Sequence, residues 1–267
     1  MRPVTGPQDP HQAGIAAYFD GGLVYAGEAP LFDLPLVVLL FTNRSGSNLL
    51  VDRLLTHPNM EGFVWADQFG ELLNADEVAA ISPTLGATSF PAYLAKLARP
   101  SCARGALFGV KASPEQLVML VRCRIDQMFA GLRVIYITRE DTLGQAISMS
   151  IALATAEWDS TCPAVPDAKP RYDFRQLNDL MAMFRQANIY ARLVLEAFDL
   201  QWHGVRYDEM TSDMEATVRR VATWLGLSIK GWVMPPPQIA KQASALSDSF
   251  RAQFLSDIRK AALGRED

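Results

Sequence analysis

The run Leu36-Val-Val-Leu-Leu-Phe41, the turn Thr42-Asn-Arg-Ser-Gly-Ser-Asn48 and the leucine spacing after it constrain this chain more than any other stretch. Its six apolar residues do not alternate with polar ones, which is the pattern of a strand buried on both faces. From Asn48 to Thr56, residues Leu49, Leu50, Leu54 and Leu55 share one side of a helix that Pro58 stops. Strand, glycine-containing turn and helix in that order form the opening half of a βαβ unit. Its parallel partner strands must be reached by long crossovers.

Those partners are present in the sequence. Ala106–Lys111 and Leu132–Thr138 are short apolar runs, each followed by a helical pattern, Pro114–Val121 and Thr142–Ala156. A long helix is expected over Phe174–Phe198, a strand over Trp202–Tyr207 and a helix over Thr211–Leu225, with Gly226 as its stop. Pro235-Pro-Pro237 breaks the chain before a last amphipathic helix, Ser247–Leu263. Strands alternating with helices predict an α/β fold, a parallel P-loop-like sheet with helices on both faces. Pro3, Pro7, Pro10 and Pro30 discourage regular structure, so 1–33 reads as an irregular arm ahead of a single α/β domain at 34–267.

Composition narrows function only by exclusion. With 25 basic and 29 acidic residues the net charge is −4, so no general attraction to nucleic acid is expected and any anion site must be built locally. Cys102, Cys123 and Cys162 are odd in number, contain no CxxC pair and have no histidine cluster beside them, which argues against a disulfide framework or a zinc site. The polar, proline-containing Met1–Gly14 stretch resembles no signal peptide, and Leu34–Phe41 is too short to span a bilayer. A cytoplasmic protein without a transmembrane segment is the expectation.

The turn at 42–48 leaves the carboxyl end of a strand and leads its backbone amides into a helix N-terminus, where unpaired N–H groups and the helix dipole favour an anion. Gly46 permits close approach, Ser45 and Ser47 offer hydroxyls, and Arg44 offers a fork of donors suited to phosphate. The GxxxxGK[ST] pattern is absent, since the turn has one glycine and no lysine. Taken alone, the turn fits a capped strand–helix junction as well as it fits a phosphate loop. In Val134-Ile-Tyr-Ile-Thr-Arg-Glu-Asp-Thr-Leu-Gly-Gln-Ala-Ile-Ser148, a strand ends in Arg139 on the same sheet edge and a helix follows that carries Ser148. By themselves, Arg139 suits an ion pair equally well and Ser148 is a tolerated helix serine.

Together and in this order, the two motifs resemble the bacterial PAPS-dependent carbohydrate sulfotransferases, where PAPS is 3′-phosphoadenosine 5′-phosphosulfate. That group includes trehalose 2-sulfotransferase and the enzymes acting on nodulation factors and lipopolysaccharide. The likeness runs from about Leu36 to Phe254 and takes in Phe108-Gly-Val-Lys111, Val205-Arg-Tyr-Asp-Glu-Met210 and Lys241-Gln-Ala-Ser. The resemblance implies that Arg44, Ser45, Gly46, Ser47 and Asn48 hold the 5′-phosphosulfate, that Arg139 and Ser148 clamp the 3′-phosphate, and that Tyr207 lies near the adenine. It implies PAPS as co-substrate, PAP (adenosine 3′,5′-bisphosphate) as product and no metal. Arg44 would stabilise the departing phosphate and a carboxylate would act as base. The family's Gly-x-x-x-Glu-x-Phe stretch corresponds to Gly62–Phe69, which makes Asp67 the matching residue, with Glu61 and Glu71 as competitors.

The implied acceptor is the hydroxyl of a small molecule, glycan or glycolipid, and several relatives are homodimers. Segments 61–104 and 157–175 would shape its pocket, and Trp65, Phe69, Phe90, Tyr93 and Trp158 offer either stacking surface or a small satellite core. Lys111 could reach the cleft from its strand end or snorkel to solvent. A non-catalytic nucleotide-binding relative and a P-loop kinase are the alternatives, the second disfavoured by the missing loop lysine.

Overall fold

A computed structural model describes residues 10–60, 69–158, 165, 168–238 and 245–264. Among them four strands, β1 (Leu36–Leu40), β2 (Phe108–Ala112), β3 (Leu132–Thr138) and β4 (Gln201–Arg206), form one parallel sheet in the order β2-β1-β3-β4. In register, Leu39 lies beside Lys111 and Ile135, and Thr138 lies beside Arg206. The carboxyl ends of all four strands therefore meet on one edge.

Both faces of β1 are buried, as its unbroken apolar run requires. Leu36, Val38 and Leu40 pack with Phe108, Val110, Val134 and Tyr136 against α4 (Phe90–Ala103), α5 (Pro114–Arg122) and α7 (Phe174–Ala197). Val37 and Leu39 pack with Ile135, Ile137 and Val205 against α2 (Ser47–Leu54) and α9 (Met214–Trp224). Each such buried aliphatic side chain is worth about 1.5–3 kcal/mol relative to exposure. Towards the N-terminal half of α7, α6 (Thr142–Thr155) and α10 (Ala245–Ala262) enclose a third cluster built on Ile147, Leu177, Phe184, Phe250 and Phe254.

Two expectations need correction. The segment expected as an irregular arm contains α1 (Pro10–Tyr18), and Ile15, Phe19, Leu23, Tyr25 and Phe32 belong to the main core. Pro10 stands at the first residue of that helix, where a missing N–H costs little, so it starts the helix instead of preventing it. Tyr207, expected to end a strand, is instead the first residue of a short helix, α8 (Tyr207–Ser212).

The outer edge of β2 is covered by the residues after the undescribed stretch 61–68. Phe69 N–H donates to the Gly109 carbonyl at 2.7 Å, Lys111 N–H donates to the Gly70 carbonyl at 3.0 Å, and Gly70 bridges Val110 in parallel. Gly109 makes this contact possible, because a methyl on it would lie 2.4 Å from the Phe69 ring. Past this junction run α3 (Ala75–Leu85) and α4, both absent from the sequence expectation.

Candidate active site

The strand ends surround a cavity of about 470 Å³ lined from β1, β2, β3, α2, α6, α8 and α10. At its floor is the turn after β1. Gly46 caps α2 in the left-handed region (φ 90°), and no side chain caps the first turn, so the α2 N-terminus opens on the cavity. Glycine is required there twice over: the backbone angle disfavours a Cβ, and a methyl would sit 2.4 Å from Tyr207 Cδ2. Arg44 also adopts a positive φ of 65°, which sends its side chain across the cavity. Its Nε donates to Ser148 Oγ at 2.8 Å and its Nη1 donates to the Trp158 carbonyl. Gln145, fully buried on α6, donates to Thr42 Oγ1 and to the Asn43 carbonyl at 3.0 and 2.7 Å and fixes the turn from behind.

Arg139 enters from the end of β3. Its guanidinium lies 4.6 Å from the centre of the Tyr207 ring, a cation–π contact, and its Nη2 is 3.6 Å from Asp141 Oδ2. Asp141 also accepts from Arg251 of α10 and caps α6 by accepting from Gly144 N–H at 2.9 Å. Burial pushes the Asp141 carboxyl up, but the Gly144 N–H and the charges of Arg251 and Arg139 outweigh it and hold it below its ordinary value. Gly144 leaves the room for this cluster, since a methyl on it would fall within 2.8 Å of all three charged groups. Two buried polar atoms beside the cavity, Arg139 Nε and Ser45 Oγ, have no hydrogen-bond partner. Buried donors are seldom left so, and here both belong to cavity residues or to the turn that forms its floor.

On the opposite side stand Lys111 and Glu71. The Lys111 side chain is only 2% exposed, and its ammonium donates to Asn48 Oδ1 at 2.8 Å and to Glu71 Oε1 at 3.0 Å above the Phe41 ring.

Arg44, Gly46, Ser47, Asn48, Arg139, Ser148 and Tyr207 thus all line one cavity, with Ser45 buried beneath it. Ser148 engages Arg44, not Arg139. Asp67, Glu61, Trp65 and Lys241 lie outside the described residues. Phe69, Phe90 and Tyr93, offered as stacking surface, are buried core residues, whereas Trp158 does line the cavity. The sequence reading missed Asp141, Gly144, Gln145 and Arg251. The one available signal was Gly144-Gln145 within the second motif, a glycine in a helical first turn followed by a polar residue on an otherwise apolar helix.

A family model for Stf0 sulphotransferases matches residues 37–257. The chain belongs to that family. It is therefore a transferase, and the reaction class is sulfuryl transfer. No curated protein matches the chain. Among solved structures it is similar to the sulfotransferase domain of the Synechococcus PCC 7002 olefin synthase, with TM-score 0.51 and 14% identity over 91% of this chain and 98% of that one. It also matches a sulfotransferase from Alicyclobacillus acidocaldarius, with TM-score 0.44 and 14% identity over 87% of this chain and 97% of that one. The first of these likenesses supports the sulfotransferase fold of the sheet and its helices. Among the described residues no helix is long and apolar enough to cross a membrane.

Proposed function

We propose that the chain transfers a sulfuryl group from PAPS to a hydroxyl of a carbohydrate or glycolipid acceptor. The observation that carries the donor assignment is Arg139, a guanidinium stacked on Tyr207 with a buried Nε that has no partner. An unmet buried donor at the end of a strand beside an uncapped helix N-terminus suits a ligand bearing two separate phosphate groups. In this reading the amides of the 44–48 turn and Ser47 hold the 5′ end. Arg139 binds the 3′-phosphate, and Tyr207 packs beside the base. Arg44 and the α2 N-terminus stabilise negative charge on the leaving phosphate. Ser148 keeps Arg44 extended across the cavity. The carbohydrate acceptor follows from resemblance to the family alone, supported by Trp158 at the cavity wall.

The test is calorimetric titration of wild type and Arg139→Ala with PAP and with ADP. A charge-assisted hydrogen bond is worth about 1.5–3 kcal/mol, so the variant should lose about 10- to 150-fold in PAP affinity while ADP binding changes little. A wild type that binds PAP no better than ADP would falsify the donor assignment.

A further inference from the structure

The sulfuryl end of the site needs a group to take the acceptor's proton, and Asp67, the residue matched by resemblance, is outside the described residues. We propose that Glu71 is the general base; the proposal rests on the donor reading above.

Glu71 is the one carboxylate among the described residues that lines the cavity on the α2 side, next to Asn48 and Lys111. Asp141 and Asp248, the other described cavity carboxylates, stand on the side of Arg139 and Arg251. Both Glu71 oxygens are held. Oε1 accepts from Lys111 Nζ at 3.0 Å, and Oε2 accepts from Asn74 Nδ2 at 3.1 Å. Asn74 is itself fixed, because its Oδ1 accepts from Gln116 Nε2 at 2.9 Å. The other end of the Gln116 amide accepts from the Ser113 N–H in the capping box of α5, which sets its orientation. A chain of contacts from the α5 cap thus orients a carboxylate whose side chain is still half exposed to the cavity. Lys111 links it to Asn48 of the donor turn, so donor and base are held in one frame. The backbone supports this from the strand edge, where the Phe69 ring against Gly109 and the Gly70–Val110 bridge deliver residue 71 beside residue 111.

A surface carboxylate held only for stability would not need an ordered partner on each oxygen and a place in the cavity wall. In the proposed step the acceptor oxygen forms its bond to sulfur while its proton passes to a Glu71 oxygen. The bond between sulfur and the bridging phosphate oxygen breaks, and its electron pair leaves on PAP. No other reactant is required.

Glu71→Gln keeps the shape and the ability to accept from Lys111 but cannot take a proton. The experiment follows single-turnover conversion of radiolabelled PAPS with water, glucose, trehalose and N-acetylglucosamine as acceptors, alongside PAP binding by calorimetry. The expected result is PAP affinity within about twofold of wild type and a transfer rate reduced about 10²- to 10⁴-fold. Asp67→Asn is run in parallel. Glu71→Gln transferring at the wild-type rate, with PAP still bound, overturns the proposal and leaves the donor site intact, all the more if Asp67→Asn abolishes transfer. A wild type that binds PAPS and sulfates none of these acceptors also overturns it. A wild type that fails to bind PAP sinks the donor reading itself.

Discussion

Gly144 offers a way to disturb the charge cluster without disturbing the fold. It is the third residue of α6, and an alanine methyl there would lie 2.1 Å from Asp141 Oδ2, 2.6 Å from Arg251 Nη2 and 2.8 Å from Arg139 Nη2. All three are ends of flexible side chains, so they swing aside and the backbone stays. Alanine gains up to about 1 kcal/mol of helix propensity over glycine. Against this, the Asp141 cap is weakened, at about 0.5–2 kcal/mol. The half-exposed Arg251–Asp141 pair contributes about 1 kcal/mol at most. The terms oppose, and net stability should fall by no more than about 2 kcal/mol, a melting-temperature change of about 4–8 °C at most. Binding should respond differently. If Arg139 must reach a 3′-phosphate, displacing its Nη2 costs at least one charge-assisted hydrogen bond, about 1.5–3 kcal/mol or 10- to 150-fold in PAP affinity. ADP has no 3′-phosphate and should bind as before. Calorimetry with PAP and ADP, paired with thermal melting of Gly144→Ala, reads both quantities. Unchanged PAP affinity would refute the placement of the 3′-phosphate, and a collapse in melting temperature would refute the claim that only side-chain tips move.

Gly46→Ala should behave oppositely and damage both properties. The left-handed backbone costs about 1–2 kcal/mol for a residue with a Cβ, and the methyl must displace the Tyr207 ring on which Arg139 stacks. Melting temperature should fall by several degrees and PAP binding with it, and normal binding in a folded variant would count against the loop assignment. His203, on β4, should give stability a pH dependence. Burial and Arg220 push its pKa below 6.5, with Glu209 opposing. The unfolded chain therefore binds the proton more readily, so the full contribution is present above about pH 6.5 and is lost as pH falls below it. Urea unfolding at pH 7.5 and 5 should show a smaller loss on acidification for His203→Gln than for wild type, and equal slopes would exclude this histidine as the cause.

Strands β1, β2 and β3 were legible because they are short apolar runs buried in the sheet, whereas β4 is largely exposed and was read from its place after the long helix. Helices α5, α6, α7 and α10 were legible from their spacing. Helices α1, α3, α4 and α8 were not. In α1, Pro10 read as a breaker yet sits in the first turn, and in the unexpected α3 and α4 Pro91 also sits in a first turn while Pro83 and Pro100 fall close to the last turn. The position of the 42–48 turn and of Arg139 at the cavity could be read because each directly follows a strand. A residue at a strand's carboxyl end has its position fixed by the sheet itself. Tyr207 belongs with them, although it was expected to end β4 and the short helix α8 that it starts was not expected.

What sequence spacing could not reveal is the set of groups that reach the cavity by packing. Lys111 and Glu71 are forty residues apart and meet because an aromatic ring lies on a glycine in an edge strand. Arg251 and Asp141 are 110 apart and meet because α10 docks on α6 through Ile147, Phe250 and Phe254. In both cases the contact is permitted by the absence of a side chain, at Gly109 and at Gly144, and an absence has no periodicity to detect. The same logic accounts for the turn without a lysine. Phosphate loops of the GxxxxGK[ST] type carry a lysine within the turn, whereas here the turn carries Arg44 and the neighbouring strand β2 delivers the lysine, since the register that sets Lys111 beside Leu39 puts its ammonium on Asn48. A motif search looks along the chain, but this lysine is supplied across the sheet. The missing lysine in the turn is therefore no argument against a site for anions.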